Sequence, residues 1–215
     1  MRLLLATHNE HKRRELARLL AGHEVELLPA DVTLPPEAGE TFAENALGKA
    51  RAAAEATGRV SIADDSGIEA AALGGVPGVR SARYAGVQAT DGENLAKLLR
   101  EVPAGSALAY VCALAYVDPR AGVERVFEAR CEGRMAAEPS GGGGFGYDPA
   151  FLPDDRDERP QDESRLDGSR LDGSPRDGSP PAETRTMAEL SDEQKDAISH
   201  RGHAARALLG WLTAG

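Results

Sequence analysis

The sequence predicts an α/β protein built on a mixed β-sheet. Short aliphatic strands alternate with amphipathic helices in the N-terminal half, which is the order of an α/β fold. Two long runs with β-branched and aromatic residues, at 107–117 and 123–135, flank a turn at 118–122 and predict a β-hairpin. Because a hairpin is antiparallel, the sheet is not purely parallel.

The N-terminal elements follow from apolar periodicity and capping residues. A strand at 3–6 precedes a polar loop and a helix at 12–21, and a second strand follows at 24–28. Thr41 and Glu44 form a capping box that begins a long alanine-rich helix, which ends at residue 57 before a glycine.

The later elements are predicted in the same way. A short buried strand at 60–63 ends at an acidic stretch, and the capping box of Thr90 and Glu93 begins a helix that runs to about residue 102. Near the C-terminus, one helix spans 191–199 and a second, amphipathic helix spans 204–212, with 200–202 interrupting or bending the chain between them.

Composition limits the classes of function. The chain has 215 residues and a formal net charge of −10, which argues against a general nucleic-acid binder and against an anionic-membrane binder. The apolar run at 1–6 is too short for a secretion signal or a membrane span. The two cysteines, Cys112 and Cys131, lie in strand-like runs without metal-ligand spacing, so we expect reduced core residues in a cytoplasmic protein.

The acidic stretch after the third strand is the first candidate site. Asp64, Asp65, Ser66 and Gly67 are consecutive. Neighbouring residues of a strand point to opposite faces, so both acids cannot face water, and a metal ion is the usual partner of buried carboxylates. An ordinary acidic turn explains the same residues equally well, because Asp, Ser and Gly are common in turns.

The first loop and the C-terminal helices offer sites for an anion. Thr7, Asn9 and Lys12 are spaced to converge on one anion at a helix start, although many first loops of α/β proteins look similar. Lys195, His200 and Arg201 form a cationic group, for which a basic helix end that complements the dipole is the simpler interpretation.

Two glycine-rich segments differ in character. The segment 141–149 carries Phe145, Tyr147 and Asp148 among its glycines, and aromatic side chains in such a loop indicate something to stack on. The segment 154–185 contains a polar five-residue repeat at 165–179 and is predicted to be a disordered insertion within a single domain. It is either inert, which we favour, or a mobile lid, or a partner-binding segment.

Together these motifs resemble one family, the inosine triphosphate pyrophosphatase-like proteins of the HAM1 type. The resemblance covers nearly the whole chain apart from the insertion. It is carried, in order, by Thr7-x-Asn9-x-x-Lys12, Thr41-Phe42-x-Glu44-Asn45-Ala46-x-x-Lys49-Ala50, Ala63-Asp64-Asp65-Ser66-Gly67, Leu73-Gly74-Gly75-x-Pro77-Gly78 with Ser81-Ala82-Arg83-Tyr84, Gly143-Gly144-Phe145-Gly146-Tyr147-Asp148-Pro149, and Ala197-Ile198-Ser199-His200-Arg201-Gly202.

The resemblance implies a fold and an activity. The implied fold has two lobes on a long, twisted mixed sheet, with the active site in the central cleft. The implied reaction is Mg²⁺-dependent hydrolysis of deaminated purine nucleoside triphosphates (ITP, dITP and XTP) to the monophosphate and pyrophosphate. Members of the family are typically homodimers.

The resemblance also implies roles for individual residues. Asp65 would be the proton acceptor for the attacking water, and Glu37 and Asp65 the Mg²⁺ ligands, with Asp64 as a nearby acid. Lys12, Lys49, Thr7, Asn9 and Ser66 would hold the triphosphate, Phe145 would stack on the purine, and Asp148, Lys195, His200 and Arg201 would read its edge. The full implied substrate-binding set is Thr7, His8, Asn9, Glu10, His11, Lys12, Lys49, Ser66, Phe145, Gly146, Tyr147, Asp148, Lys195, His200 and Arg201.

Two alternatives stay open at this point. Maf-type pyrophosphatases share the general chemistry and prefer other modified or pyrimidine nucleotides, although their motifs match less well. A non-catalytic nucleotide sensor with an intact pocket is the second alternative, and the presence of Glu37, Asp65 and the lysines argues against it.

Overall fold

A computed structural model describes residues 1–154 and 185–214. Its centre is a six-stranded sheet in the order β2-β1-β3-β4-β5-β6. The first strand pairs in parallel with β2 and β3, and the remaining neighbours pair antiparallel. The predicted α/β fold with a mixed sheet is therefore confirmed. The strands are β1 Arg2–Leu5, β2 Glu24–Leu27, β3 Ser61–Ala70, β4 Ala107–Asp118, β5 Val123–Met135 and β6 Phe151–Pro153. The helices are α1 Glu10–Leu19, α2 Phe42–Thr57, α3 Asp91–Glu101, α4 Asp192–Ile198 and α5 His200–Ala214.

Alternating side chains of the sheet build a core on each face. Ala63 of β3 and Ala113 of β4 face α2, whose Ala46 and Ala50 allow the helix to pack closely on the sheet. Their chain neighbours face the opposite side, where Ile62 packs with apolar residues of α1 and α5. The helix α2 ends at Thr57, and the next residue, Gly58, adopts the left-handed conformation that favours glycine.

The second half of β3 and the first half of β4, which pair antiparallel, support another lobe. Ile68 of β3 and Tyr110 of β4 pack with Leu98 of α3 and with Phe151 of β6. The centre of β3 lies between this lobe and the two clusters that cover the faces of the sheet. The polar residues in the middle of β3 therefore lie where the lobes meet.

The third strand differs from the prediction. It does not end at the acidic stretch but continues to Ala70, and every residue of Ser61–Ala70 pairs with β4. The acids were expected at the strand end because Asp, Ser and Gly resemble a turn; the strand continues because both carboxylates have partners inside the protein. Gly67 has a packing role, because a Cβ there would lie 2.3 Å from the Ser81 hydroxyl oxygen.

Other elements also differ from the prediction. Helix α1 begins at Glu10, two residues earlier than predicted, because Asn9 caps it. Strand β6 was not predicted. Helix α5 begins at His200, so residues 200–202 do not interrupt it; a Cβ at Gly202 would lie 2.0 Å from the Asp196 carbonyl oxygen, and the glycine therefore permits close packing of α4 on α5.

The predicted insertion at 154–185 lies, except for its two end residues, outside the residues that the structure describes. Across 1–154 and 185–214, the helices lack the combination of length and apolar character needed to cross a bilayer.

Candidate active site

A cavity of about 390 Å³ lies where the loop after β1, the centre of β3, the glycine-rich segment and the α4–α5 junction meet. It gathers predicted site residues that are far apart in the chain. Those that line it are Thr7, His8, Asn9, Lys12, Glu37, Lys49, Asp65, Ser66, Phe145, Gly146, Tyr147, Asp148, Lys195, His200 and Arg201. Of the implied substrate-binding and metal residues, Glu10 and His11 lie outside the lining: Glu10 pairs with Arg13, and the His11 ring stacks on Phe145 with centroids 4.9 Å apart.

The loop after β1 is ordered by its own side chains. The Asn9 side-chain oxygen accepts hydrogen bonds from the backbone N–H groups of His11 (2.9 Å) and Lys12 (3.1 Å). The Thr7 hydroxyl accepts from the Asn9 N–H at 3.2 Å. Two of the N–H groups that a helix start offers to an anion are thus bonded to Asn9. Lys12, which lines the cavity, adds a full positive charge at this end.

Asp64 and Asp65, the adjacent acids of β3, point to opposite faces of the sheet and have different partners. Asp65 lies toward α2, where Asn45 Nδ2 donates to it at 3.0 Å and Lys49 Nζ at 3.1 Å. Lys49 Nζ also donates to Glu37 at 2.6 Å, so one ammonium group joins both predicted metal carboxylates.

The environment of Asp65 raises the pKa of its carboxyl group. Burial raises the pKa of Asp65, Lys49 and Lys12 lower it, Glu37 raises it further, and the result is a pKa of about 6. A carboxylate whose pKa lies near neutrality is suited to general-base chemistry.

Asp64 lies on the other face and is completely buried. It pairs with Lys12, accepts from Ser66 Oγ and Arg201 Nε at 3.2 Å each, and accepts from Cys112 Sγ at 3.1 Å. Burial raises the pKa of Asp64, but Arg201 and Lys12 outweigh burial and hold this pKa well below its usual range. Asp64 therefore remains a charged anchor for two cations.

Asp64 belongs to a chain of alternating charges, most of them buried. Arg201 also pairs with Glu15, which accepts from Lys195 Nζ at 2.7 Å, and Lys195 Nζ donates to Asp148 at 2.6 Å. We call this set the buried ion-pair chain; its members, in order, are Lys12, Asp64, Arg201, Glu15, Lys195 and Asp148. It links α1, the centre of β3, the α4–α5 junction and the glycine-rich segment.

Glu15 was missed by the sequence analysis. It is 7 % exposed and lies one turn after Lys12 on the face of α1 that also carries Leu16. An acid on the apolar face of a helix was the available signal, because such a residue requires a buried partner. Burial raises the pKa of Glu15, but the charges of Arg201 and Lys195 make the net shift downward.

Asp148 holds Phe145, whose ring faces Arg201, in place. Its carboxylate accepts from Tyr110 OH at 2.8 Å and from the Phe145 N–H at 2.8 Å, in addition to Lys195. Phe145 lies under two cations, with Lys195 Nζ 5.1 Å and Arg201 Cζ 5.7 Å from its ring centroid. The cavity therefore offers an aromatic face beside cationic donors.

Arg201 keeps donors for a ligand. It bonds through Nε to Asp64, through Nη1 to Glu15 and through Nη2 to Ser66. A guanidinium carries five N–H groups, so these contacts leave two of them. Its neighbour His200 is buried and stacks on Tyr110 with centroids 4.6 Å apart, and burial, followed by Arg201, holds the pKa of His200 well below 6.5.

The donor set fits a hard divalent cation. Two carboxylates, Glu37 and Asp65, reach the same point of the cavity, and across the described parts of the chain no group of three or more His, Cys, Asp and Glu side chains forms a metal cage. Mg²⁺ is usually held by one or two carboxylates together with substrate phosphates and water, so this pair suits it.

Comparisons with known proteins give a consistent result. A family model described as the Ham1 family matches residues 3–164 and 179–211, and the unmatched residues between them lie in the repeat-bearing segment. Two relatives carry the name dITP/XTP pyrophosphatase. The protein of Frankia alni is 45% identical over 99% of this chain and 97% of its own, and that of Mycolicibacterium paratuberculosis is 44% identical over 96% and 93%.

Solved structures agree with this result. The HAM1 protein from Coxiella burnetii superposes with a TM-score of 0.77 at 35% identity, covering 100% of both chains. A nucleoside-triphosphatase, dITP/XTP pyrophosphatase from Mycobacterium abscessus superposes with a TM-score of 0.66 at 39% identity, covering 97% of this chain and 99% of its own. On this evidence, the chain belongs to the Ham1 family.

Proposed function

We propose that this protein hydrolyses the triphosphates of deaminated purine nucleosides (ITP, dITP and XTP) to the monophosphate and pyrophosphate, and so removes damaged precursors from the nucleotide pool. The observation that carries the proposal is one cavity that joins Asp65, a carboxyl with a pKa of about 6, to an aromatic face flanked by two buried cations. Family membership and the names of the relatives support it.

In this proposal Asp65 accepts the proton of the attacking water. The Asn45 amide and the Lys49 ammonium hold its carboxylate in place. Water attacks the α-phosphorus, the bond to the bridging oxygen breaks, and pyrophosphate leaves with the electron pair. Lys12 and Lys49 lie in the same cavity and stabilise the charge that accumulates on the leaving group.

Glu37 and Asp65 are the residues that would hold Mg²⁺. The bound ion would neutralise phosphate charge. Lys49 contacts both carboxylates, so it is placed to keep them together and to contact a phosphate next to them.

The purine base of the nucleotide would be recognised at the end of the cavity that contains Phe145. Phe145 supplies a stacking face, and Arg201 and Lys195 supply only hydrogen-bond donors. Hypoxanthine and xanthine carry an acceptor oxygen at C6, whereas adenine carries an amino donor there. A donor-lined site leaves the amino group of adenine unpaired, and a buried polar mismatch discriminates strongly.

A substrate panel tests the proposal. Pyrophosphate release with Mg²⁺ is measured for ITP, XTP, dITP, ATP, GTP, CTP and UTP at equal concentration. We expect turnover concentrated on ITP, XTP and dITP. Preferred turnover of pyrimidine triphosphates would transfer the assignment to a Maf-type activity. Nucleotide binding without any turnover would indicate a sensor.

The Asp65→Asn variant tests the role of the base. It keeps the side-chain shape and removes the proton acceptor, so hydrolysis of ITP should fall by about a hundredfold or more while ITP binding stays measurable. Turnover close to that of the unmodified protein would exclude Asp65 as the base. Mg²⁺ as the metal, a homodimeric state and a cytoplasmic location stay predictions from the sequence.

A further inference from the structure

Asp64 has a partner that the proposed reaction does not use. Lys12 and Ser66 contact its Oδ1 atom, and Arg201 Nε and Cys112 Sγ contact its Oδ2 atom at 3.2 and 3.1 Å. The first three line the cavity, whereas Cys112 is completely buried and does not line it. The thiol is thus a fourth donor to a completely buried carboxylate.

The strand register places Cys112 at a boundary. Cys112 of β4 pairs with Ser66 of β3, two residues beyond Asp64, so its side chain lies on the same face of the sheet as Asp64. The same side chain packs in the apolar core with Leu114 and Ala204. A thiol suits this position because it is a small hydrophobic group that also carries a weak donor.

The thiol keeps its proton. Burial raises the pKa of the Cys112 thiol well above its usual value, and the negative charge of Asp64 raises it further. The S–H group is therefore available as a donor at neutral pH.

We propose that Cys112 is a positioning residue whose S–H group donates to Asp64 and fixes the one carboxylate that joins Lys12, at the phosphate end of the cavity, to Arg201, at the base end. The inference rests on the proposed function for its kinetic consequences. The hydrogen bond itself does not depend on the identity of the substrate.

A purely structural Cys112 predicts a different order of variants. If the side chain only fills space, Cys112→Ala leaves a small void and Cys112→Ser adds a polar group to an apolar core, so the serine variant is the worse of the two. If the side chain positions Asp64, serine keeps a donor and alanine does not, so the alanine variant is the worse.

The kinetic test compares these variants with a matched control. Values of kcat and KM for ITP and ATP are measured for the unmodified protein, Cys112→Ser, Cys112→Ala and Cys131→Ala, which alters the other cysteine outside the cavity. We expect Cys112→Ala to raise KM for ITP and to narrow the preference for ITP over ATP, each by about three- to tenfold. Cys112→Ser should recover most of the loss, and Cys131→Ala should match the unmodified protein. A Cys112→Ser protein that is more impaired than Cys112→Ala, or a Cys112→Ala protein with unchanged KM and preference, overturns the proposal.

Infrared spectroscopy gives an independent reading. In the Cys131→Ala protein a single S–H stretching band should belong to Cys112 and should lie at lower wavenumber than that of a thiol in apolar surroundings, because a carboxylate accepts its hydrogen bond. Adding Asp64→Asn should move the band back upward. A band without this displacement overturns the proposal even if ITP is hydrolysed, whereas a displaced band in a protein that hydrolyses no triphosphate leaves the bond intact and refutes the proposed function alone.

Discussion

Replacing Glu15 by glutamine should destabilise the protein through the buried ion-pair chain. The chain contains three acids and three cations, so Glu15→Gln leaves one uncompensated positive charge in a buried cluster. Lys195, whose Nζ lies 2.7 Å from Glu15, loses this carboxylate and keeps Asp148. Arg201 also loses Glu15 and keeps Asp64. Breaking a buried pair costs about 3–5 kcal/mol. Because both cations keep a second carboxylate, we expect the free energy of unfolding to fall by about 3 kcal/mol, the lower end of this range.

Urea unfolding of the nucleotide-free protein at pH 7 measures this free energy directly. Glu124→Gln is the control, because Glu124 pairs with Arg51 at the surface with 40% of its side chain exposed, and such pairs contribute about 0–1 kcal/mol. The pH dependence gives a second criterion. The pKa of Glu15 is lowered in the folded state, so the ionised carboxylate stabilises the fold above its ordinary pKa of 4.5. This stabilisation is lost as the pH falls through the folded-state pKa, so the difference in unfolding free energy between the unmodified protein and Glu15→Gln should shrink at low pH. Equal losses for Glu15→Gln and Glu124→Gln at pH 7 would refute the reasoning.

Three further predictions concern other parts of the molecule. Gly67→Ala should lower the urea midpoint strongly, because its Cβ would meet the Ser81 hydroxyl at 2.3 Å; an unchanged midpoint would contradict the packing described here. The pKa of His200 is lowered by burial, so the unfolded state binds the extra proton and stability should fall by up to about 1.4 kcal/mol per pH unit as the pH drops below about 6.5. His200→Phe keeps a flat ring and should reduce this slope in a urea series from pH 7 to pH 5; an unchanged slope would contradict the assignment. Phe145→Leu should raise KM for ITP by about tenfold with little change in kcat, since a base–aromatic stack contributes about 1–3 kcal/mol; an unchanged KM in steady-state assays would show that the purine does not stack there.

Much of the fold follows from local patterns. Alanine-rich periodicity and the capping box of Thr41 and Glu44 predicted α2 to within a residue, and the aliphatic runs predicted β4 and β5. The end of β3 was not predictable in this way. Asp64 and Asp65 resemble a turn when read alone, and the cations that allow them to lie within a strand come from distant parts of the chain.

The candidate site shows the same division. The motifs identified residues that line one cavity, but not how they are connected. Glu15 had no motif to mark it, and its role depends on Lys195 and Arg201, which follow it by 180 and 186 residues. The commitment of Asp148 to Tyr110, Lys195 and the Phe145 backbone likewise depends on tertiary contacts. Side chains that act through other side chains are therefore the part of the site that sequence patterns do not show.

The most direct test of the central claim is the hydrolysis of ITP in ¹⁸O-labelled water, with Mg²⁺ present and the products analysed by mass spectrometry. Attack of water on the α-phosphorus predicts pyrophosphate without label and inosine monophosphate that carries one labelled oxygen. Label in the pyrophosphate, or release of inorganic phosphate with inosine diphosphate, would contradict the account.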